Sequence, residues 1–295
     1  MSGVRCAIVT GGNQGMGFST AEALLALGFK VTITCRSKEK CDEAVAALSK
    51  YKDMISSICM DMNDLSTVVA GAAAYADPAL HVLVNNAGIM NTPFAMTKDG
   101  FEAQYQVNHL AHFQLIHLLM PKLRLGAAGG LMTPRVVNLS SRAHMRHGGA
   151  IDYKKLQSET AQSYDGWSAY GRSKLSNILC AKALAKRFPV ASSGVAFVSL
   201  HPGLVATGLL TKGGMQRSAG MDIAEGIKCT IFLSTSPNVK EESGAYYQND
   251  EGSFYRVTKE NSASLLTEIA QNEAEADKCF DFSTQVLKIQ RFGEQ

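Results

Sequence analysis

A doubly wound α/β fold, one parallel sheet with helices on both faces, is what this 295-residue sequence predicts. Three observations lead there. Short β-branched apolar runs alternate with helical stretches along the chain. The first run passes through a glycine-rich turn straight into a helix. No repeat, low-complexity tract or linker breaks the alternation, so a single domain over residues 1–295 is expected.

Taken in order, Cys6-Ala7-Ile8-Val9 is short, apolar and β-branched, as expected of a strand buried on both faces. The turn Thr10-Gly11-Gly12-Asn13-Gln14-Gly15-Met16-Gly17 follows. Phe18 to Leu27, rich in Ala, Leu and Glu, reads as a helix ended by Gly28. Lys30 to Thr34 alternates and reads as a second strand, Lys38 to Ser49 as a helix, Ile55 to Met60 as extended and Leu65 to Tyr75 as helical. Leu80 to Val84 is an apolar strand stopped by Asn85-Asn86-Ala87-Gly88. A long helix is expected from Asp99 to Leu125, tolerating Pro121 near its end, then a loop to Pro134 and a strand over Arg135 to Leu139. Gly148 to Gly166 is polar and reads as an irregular surface excursion. Trp167 to Phe188 is helical, Val195 to Leu200 a strand and Leu204 to Gly220 a glycine-bearing loop over the substrate side. Asp222 to Leu233 and Ala263 to Ile289 complete the helices.

Composition narrows the function. With 29 basic and 26 acidic residues the formal charge is +3, and no run of Lys or Arg points to nucleic acid or an anionic membrane. No apolar stretch is long enough to span a bilayer, and only Met1–Arg5 precede the first strand, so neither leader nor anchor is expected. Seven scattered cysteines without a C-x-x-C pair read as reduced thiols of a cytoplasmic protein.

Strand, glycine turn and helix in that order make an anion site. Glycines let the backbone approach a pyrophosphate, and the helix start offers free N–H groups and a positive dipole end. Gly11, Asn13, Gln14, Gly15, Met16 and Gly17 are therefore expected to hold a dinucleotide. The second strand ends Thr34-Cys35-Arg36-Ser37, with no Asp or Glu for a ribose 2′-hydroxyl. Arg36 instead suits a 2′-phosphate through charge-assisted bonds, which selects NADP; Lys40 adds charge or is simply solvated. Asp61 and Met62, ending the third strand, are placed for the adenine, although Asp61 to Asp64 also reads as a helix cap.

Tyr170-Gly171-Arg172-Ser173-Lys174 carries the chemistry. Four residues apart on a helix, Tyr170 and Lys174 share a face. A free phenol has a pKa of about 10, and a neighbouring ammonium favours the phenolate, tuning it for acid–base work. Ser140-Ser141, at the end of the preceding strand, offers a hydroxyl to hold a carbonyl oxygen.

These motifs, with Val107-Asn108-His109, Val137 to Ser141 and His201-Pro202-Gly203, come in the order and at the spacings of the short-chain dehydrogenase/reductase family, over roughly the first 210 residues. Asp99-Gly100-Phe101-Glu102, Asn108 to Phe113 and Ser173 to Asn177 resemble its retinol-dehydrogenase-like branch. The resemblance implies a Rossmann-type fold and an NADP(H)-dependent oxidoreductase that interconverts a carbonyl and an alcohol. It implies Ser141 as the catalytic serine, Tyr170 as acid/base, and Lys174 as the group that bonds the nicotinamide ribose and lowers the tyrosine pKa. It also implies that Asn108 holds a relay water, that Asn85, Ala87 and Gly88 line the adenosine side, and that Pro202, Gly203, Val205 and Thr207 follow the nicotinamide and pyrophosphate. Family members are often dimers or tetramers, and some in this branch are monomers. Gly12 departs from the branch, which often has Ala there.

Two other classes share these signals. A dinucleotide-sensing regulator would lack the Tyr or Lys, and both are present. A sugar-nucleotide epimerase or dehydratase also uses Tyr-x-x-x-Lys, with a longer chain and a larger C-terminal domain. His109, His112 and His117 lie on one helix without ligand partners at metal spacing, so no metal is expected. His144 and His147 read as a solvated loop, with the border of the substrate pocket as the alternative, and Met145, Leu209 and Met215 as either core or adaptable substrate contacts.

Overall fold

The computed structural model describes residues 3–146, 149–258, 260–261 and 265–294. Eight strands form one sheet: β1 Cys6–Thr10, β2 Lys30–Cys35, β3 Ile55–Cys59, β4 Val82–Asn85, β5 Arg135–Leu139, β6 Ala196–His201, β7 Tyr246–Asp250 and β8 Ser253–Arg256. Their spatial order is β3-β2-β1-β4-β5-β6-β7-β8, parallel throughout except for β8, which runs antiparallel to β7. The order reverses between β1 and β4, and the crevice beyond the carboxyl ends of such a switch point is where ligands bind.

The helices are α1 Gly15–Ala26, α2 Lys38–Ala47, α3 Leu65–Ala74, α4 Ala103–Tyr105, α5 Ala111–Ala128, α6 Tyr153–Ser158, α7 Gly166–Arg187, α8 Val190–Ser193, α9 Gly208–Lys212, α10 Ile223–Thr235, α11 Glu268–Gln271 and α12 Glu273–Val286. Alternation along the strands divides the core. In β1, Ile8 points to the side of α3, α5, α7 and α12, while Ala7 and Val9 point to the side of α1, α2 and α10. No helix among the described residues is long and apolar enough to cross a membrane.

Several elements differ from expectation. The helix expected from Asp99 begins at Ala103, because the Glu102 carboxylate accepts from Gln104 N at 2.9 Å and Tyr105 N at 2.7 Å. Asp99 instead accepts from Leu65 N, 3.0 Å away, at the start of α3. Between α4 and α5 the backbone widens into a π-helical turn over Gln106–Leu110, a distortion often found at functional sites. The polar excursion contains α6, capped by Asp152, and is fastened to α7 by a buried Arg172–Glu159 pair at 2.6 Å. The loop after β6 contains α9 and a short 3₁₀ turn, Arg217–Ala219. The helix expected from Ala263 is realised as α11 and α12, and Ala263 itself lies outside the described residues.

Candidate active site

The glycine turn at the end of β1 is built for close approach. Gly11 and Gly15 have φ of +64° and +57°. A Cβ on Gly17 would lie 2.3 Å from the Gly11 carbonyl oxygen, so only glycine lets α1 start this near the turn. Gln14 precedes α1 without a side-chain cap, leaving the first N–H groups of the helix for an anion. At Gly12 a Cβ would lie 2.5 Å from Ile33 Cγ2, which accounts for glycine rather than Ala beside this isoleucine. Thr10 locks the turn to β4: its hydroxyl accepts from Asn86 N and Ala87 N, each at 2.9 Å, and donates to His112 Nε2 at 2.9 Å. His112 is neutral, held down to about 4 by burial, and its Nδ1 donates to Asn108 O.

A cavity of about 520 Å³ runs along the carboxyl edge from this turn. Gly11, Asn13, Gln14, Gly15, Met16, Gly17, Arg36, Asp61, Met62, Ala87, Gly88 and Thr207 all line it, with Lys40, Asn86 and Ile89. Asn85 does not: its buried amide donates to Asn138 Oδ1 at 2.8 Å and ties β4 to β5. Pro202, Gly203 and Val205 lie behind the lining. Val205 pairs with Met221, and Gly203 takes φ +89° where a Cβ would strike Met221. Thr207 alone of that group reaches the glycine turn.

At the far end Arg36 is exposed and makes no carboxylate or carbonyl bond among the described residues. The Asp61 carboxylate accepts from Asn63 N at 3.0 Å in a tight local turn, and the cap of α3 is Asp64. Cys35 and Cys41 are joined as a disulfide, with Cα atoms 5.8 Å apart. That corrects the reading of every cysteine as a reduced thiol: the turn into α2 brings Cys41 back over the end of β2.

At the near end β5 and α7 bring the catalytic candidates together. The two serines after β5 separate by role. Ser140 Oγ donates to Lys174 O at 2.7 Å and is structural, whereas Ser141 Oγ accepts from Ala143 N at 3.1 Å and stands near enough to the Tyr170 phenol to act on its proton affinity. Burial pushes that phenol up to about 12, and the Ser141 hydroxyl opposes the shift. Lys174 Nζ donates to Leu139 O at 3.1 Å and stands 5.6 Å from the centre of the Tyr170 ring. Burial brings it down to about 8. Burial therefore dominates both groups in this arrangement. Asn108 lies in the π-helical turn; its amide donates to Ile89 O and Ser173 Oγ, and its Oδ1 accepts from Ile89 N, each at 2.9 Å.

Some functional neighbours were not legible. His144 is fully buried rather than solvated, and its Nδ1 donates to Ser141 O at 2.7 Å, bracing the turn that presents Ser141. His147 lies outside the described residues. Met90, Ala143 and Leu210 pack around Tyr170 with Trp167, Leu209 and Met215 to form an apolar wall. His109 bonds Ser283 at 2.9 Å, and His117 accepts from Gly293 N at 2.8 Å, so the helix histidines serve packing. Among the described residues no cluster of His, Cys, Asp or Glu could hold a metal ion.

A dinucleotide-binding crevice opening onto a Ser, Tyr and Lys set defines an oxidoreductase, and comparison with known proteins identifies which kind. The chain belongs to the short-chain dehydrogenase family, whose model matches residues 5–153, and within it to the retinol-dehydrogenase-like branch. It is 35% identical to mouse Retinol dehydrogenase 11, over 83% of this chain and 78% of that one. It is 31% identical to human Retinol dehydrogenase 12, over 96% and 86% respectively. It is also 30% identical to Short-chain dehydrogenase TIC 32 A, chloroplastic, of Brassica napus, over 96% and 88%. Among solved structures, an uncharacterised protein from Mycobacterium paratuberculosis superposes with a TM-score of 0.75 at 29% identity, covering 96% of this chain and 93% of that one. The Pseudomonas aeruginosa RhlG/NADP complex superposes at 0.65 and 26%, covering 84% and 95%.

Proposed function

We propose that this protein is an NADP(H)-dependent reductase that converts an aldehyde or ketone to the alcohol. The observation that carries the reading is the gathering of Ser141, Tyr170 and Lys174 at the carboxyl end of β5, with Lys174 Nζ on Leu139 O and 5.6 Å from the centre of the Tyr170 ring. The glycine turn fits a diphosphate, because a Cβ at Gly17 would fill the space that its closeness to Gly11 requires. Gly15, Thr207 and the start of α1 would hold that diphosphate, Ala87 and Gly88 the adenosine side, Asp61 and Met62 the adenine, and Arg36 the 2′-phosphate. When bound, the reduced nicotinamide supplies hydride to the carbonyl carbon.

The remaining work falls to side chains. Tyr170, pushed up to about 12, is protonated at neutral pH and delivers its proton to the carbonyl oxygen. Ser141 accepts from Ala143 N, so its own hydrogen is free to hold the same oxygen. Lys174, brought down to about 8, exchanges protons near neutrality and resupplies the phenol. Asn108 O, bonded by His112 Nδ1 at 3.1 Å, keeps a second lone pair for the water of a relay to solvent. The segment after β6 covers the substrate, and its Leu209 and Met215 join the apolar wall beside Tyr170. Such a wall suits apolar carbonyl compounds, in keeping with relatives named retinol dehydrogenases.

Tyr170→Phe tests this reading. The variant is expected to bind NADPH with unchanged affinity by fluorescence titration and to lose turnover across a panel of aldehydes and ketones. Undiminished turnover would remove Tyr170 from the mechanism.

A further inference from the structure

Most arginines of this chain are occupied. Arg172 pairs with Glu159, Arg187 with Asp277 and Asp281, Arg256 with Glu242 and Arg291 with Glu294. Arg5, Arg124 and Arg135 donate to backbone carbonyls. Among the described residues, Arg36, Arg142 and Arg146 form no bond to a carboxylate or carbonyl. All three stand at the carboxyl edge of the sheet. Arg36 follows β2 at the adenosine end; Arg142 and Arg146 lie on the 3₁₀ turn that follows Ser141, at the substrate end.

Arg146 is placed by stacking. Its guanidinium lies 4.8 Å over the centre of the Trp167 ring, and Trp167 meets the Tyr170 ring edge-on at 6.1 Å. Phenol, indole and guanidinium thus form a file that runs outward from buried Tyr170 through half-buried Trp167 to exposed Arg146. Apolar Met90, Leu210 and Met215 stand beside the phenol and indole. Stacking engages the face of a guanidinium and leaves its in-plane N–H groups for a planar, bidentate oxyanion.

We propose that the substrate is a carbonyl compound with an apolar body and a carboxylate at its far end. The carbonyl sits between Tyr170 and Ser141, the chain lies along Trp167, and the carboxylate is taken by Arg146, with Arg142 adding positive charge. This assignment rests on the carbonyl-reduction reading above.

The test uses the whole chain with NADPH and two matched substrates, an ω-oxo fatty acid and its methyl ester. The wild type is expected to prefer the acid roughly fivefold in kcat/KM, through KM, as suits an ion pair open to solvent. The preference shrinks as salt is added. Arg146→Gln brings the acid-to-ester ratio to about one, and Arg146→Lys, which keeps the charge but loses the fork and the stack, gives a ratio between the two. If Arg146→Gln slows acid and ester alike, the arginine merely braces Trp167 and the proposal falls; it falls too if the wild type prefers the ester. If neither compound is reduced, the carbonyl-reduction reading fails, and calorimetry with a saturated α,ω-dicarboxylic acid decides the carboxylate site on its own. Binding that weakens in Arg146→Gln upholds the site, and equal binding by both proteins overturns it.

Discussion

Gly17→Ala asks whether the glycine turn is as tightly packed as its distances say. The added methyl would lie 2.3 Å from the Gly11 carbonyl oxygen and 2.5 Å from Asn86 Nδ2. Neither neighbour retreats cheaply, since one is main chain and the other donates to Thr10 O at 2.8 Å. The methyl must push the start of α1 away from the turn. Overpacking of this kind costs ~1–3 kcal/mol, and in a chain of this size each kcal/mol lowers Tm by about 2 °C. Cofactor affinity suffers more. Each hydrogen bond to a charged group contributes about 1.5–3 kcal/mol, so displacing one or two helix N–H groups from the diphosphate weakens NADPH binding on the order of 10–100-fold. Gly208→Ala is the control: it lines the same cavity, and a Cβ there meets nothing within 4 Å. NADPH fluorescence titration and a thermal melt measure both effects. If Gly17→Ala matches Gly208→Ala in affinity and in Tm, the close-packing argument is refuted.

Two more outcomes follow from the same site. Arg36→Ala should weaken NADPH binding roughly tenfold, the value of one partly solvent-screened ion pair, and leave NADH unaffected; equal loss for both cofactors would take Arg36 off the 2′-phosphate. Lys174 falls from an ordinary 10.5 to about 8 through burial, so between these values the unfolded chain binds the extra proton. Relative to Lys174→Met, wild-type stability should therefore rise over that window by up to about 3 kcal/mol, the burial penalty being fully present below it. Thermal melts of both proteins across the window check this, and a flat difference rules it out.

Local chemistry made much of the molecule readable in advance. The glycine turn showed itself because strand, turn and helix are consecutive, and the Tyr170–Lys174 face because helical spacing is regular. Arg135–Leu139 appeared at its observed bounds. β7 was not legible, since Tyr-Tyr-Gln-Asn-Asp carries no apolar signature; its polar Gln248 and Asn249 are buried by the sheet and not by their own character. A hint existed in Glu251-Gly252, whose φ values of +49° and +88° close the hairpin to β8. His144 read as loop because nothing nearby in sequence shows that Ser141 needs its imidazole.

Residue order alone thus determined the kind of fold, the family and the turn that suits a diphosphate, since each depends on spacings of a few residues that steric rules convert directly into shape. Only the tertiary structure decided that Asn85 braces strands while Asn86 lines the cavity, and that Met90, Trp167 and Leu210 wall the site. Those outcomes depend on which distant segments share a neighbourhood once the sheet closes. Burial, which sets the proton affinities of Tyr170 and Lys174, comes into being only with that closure.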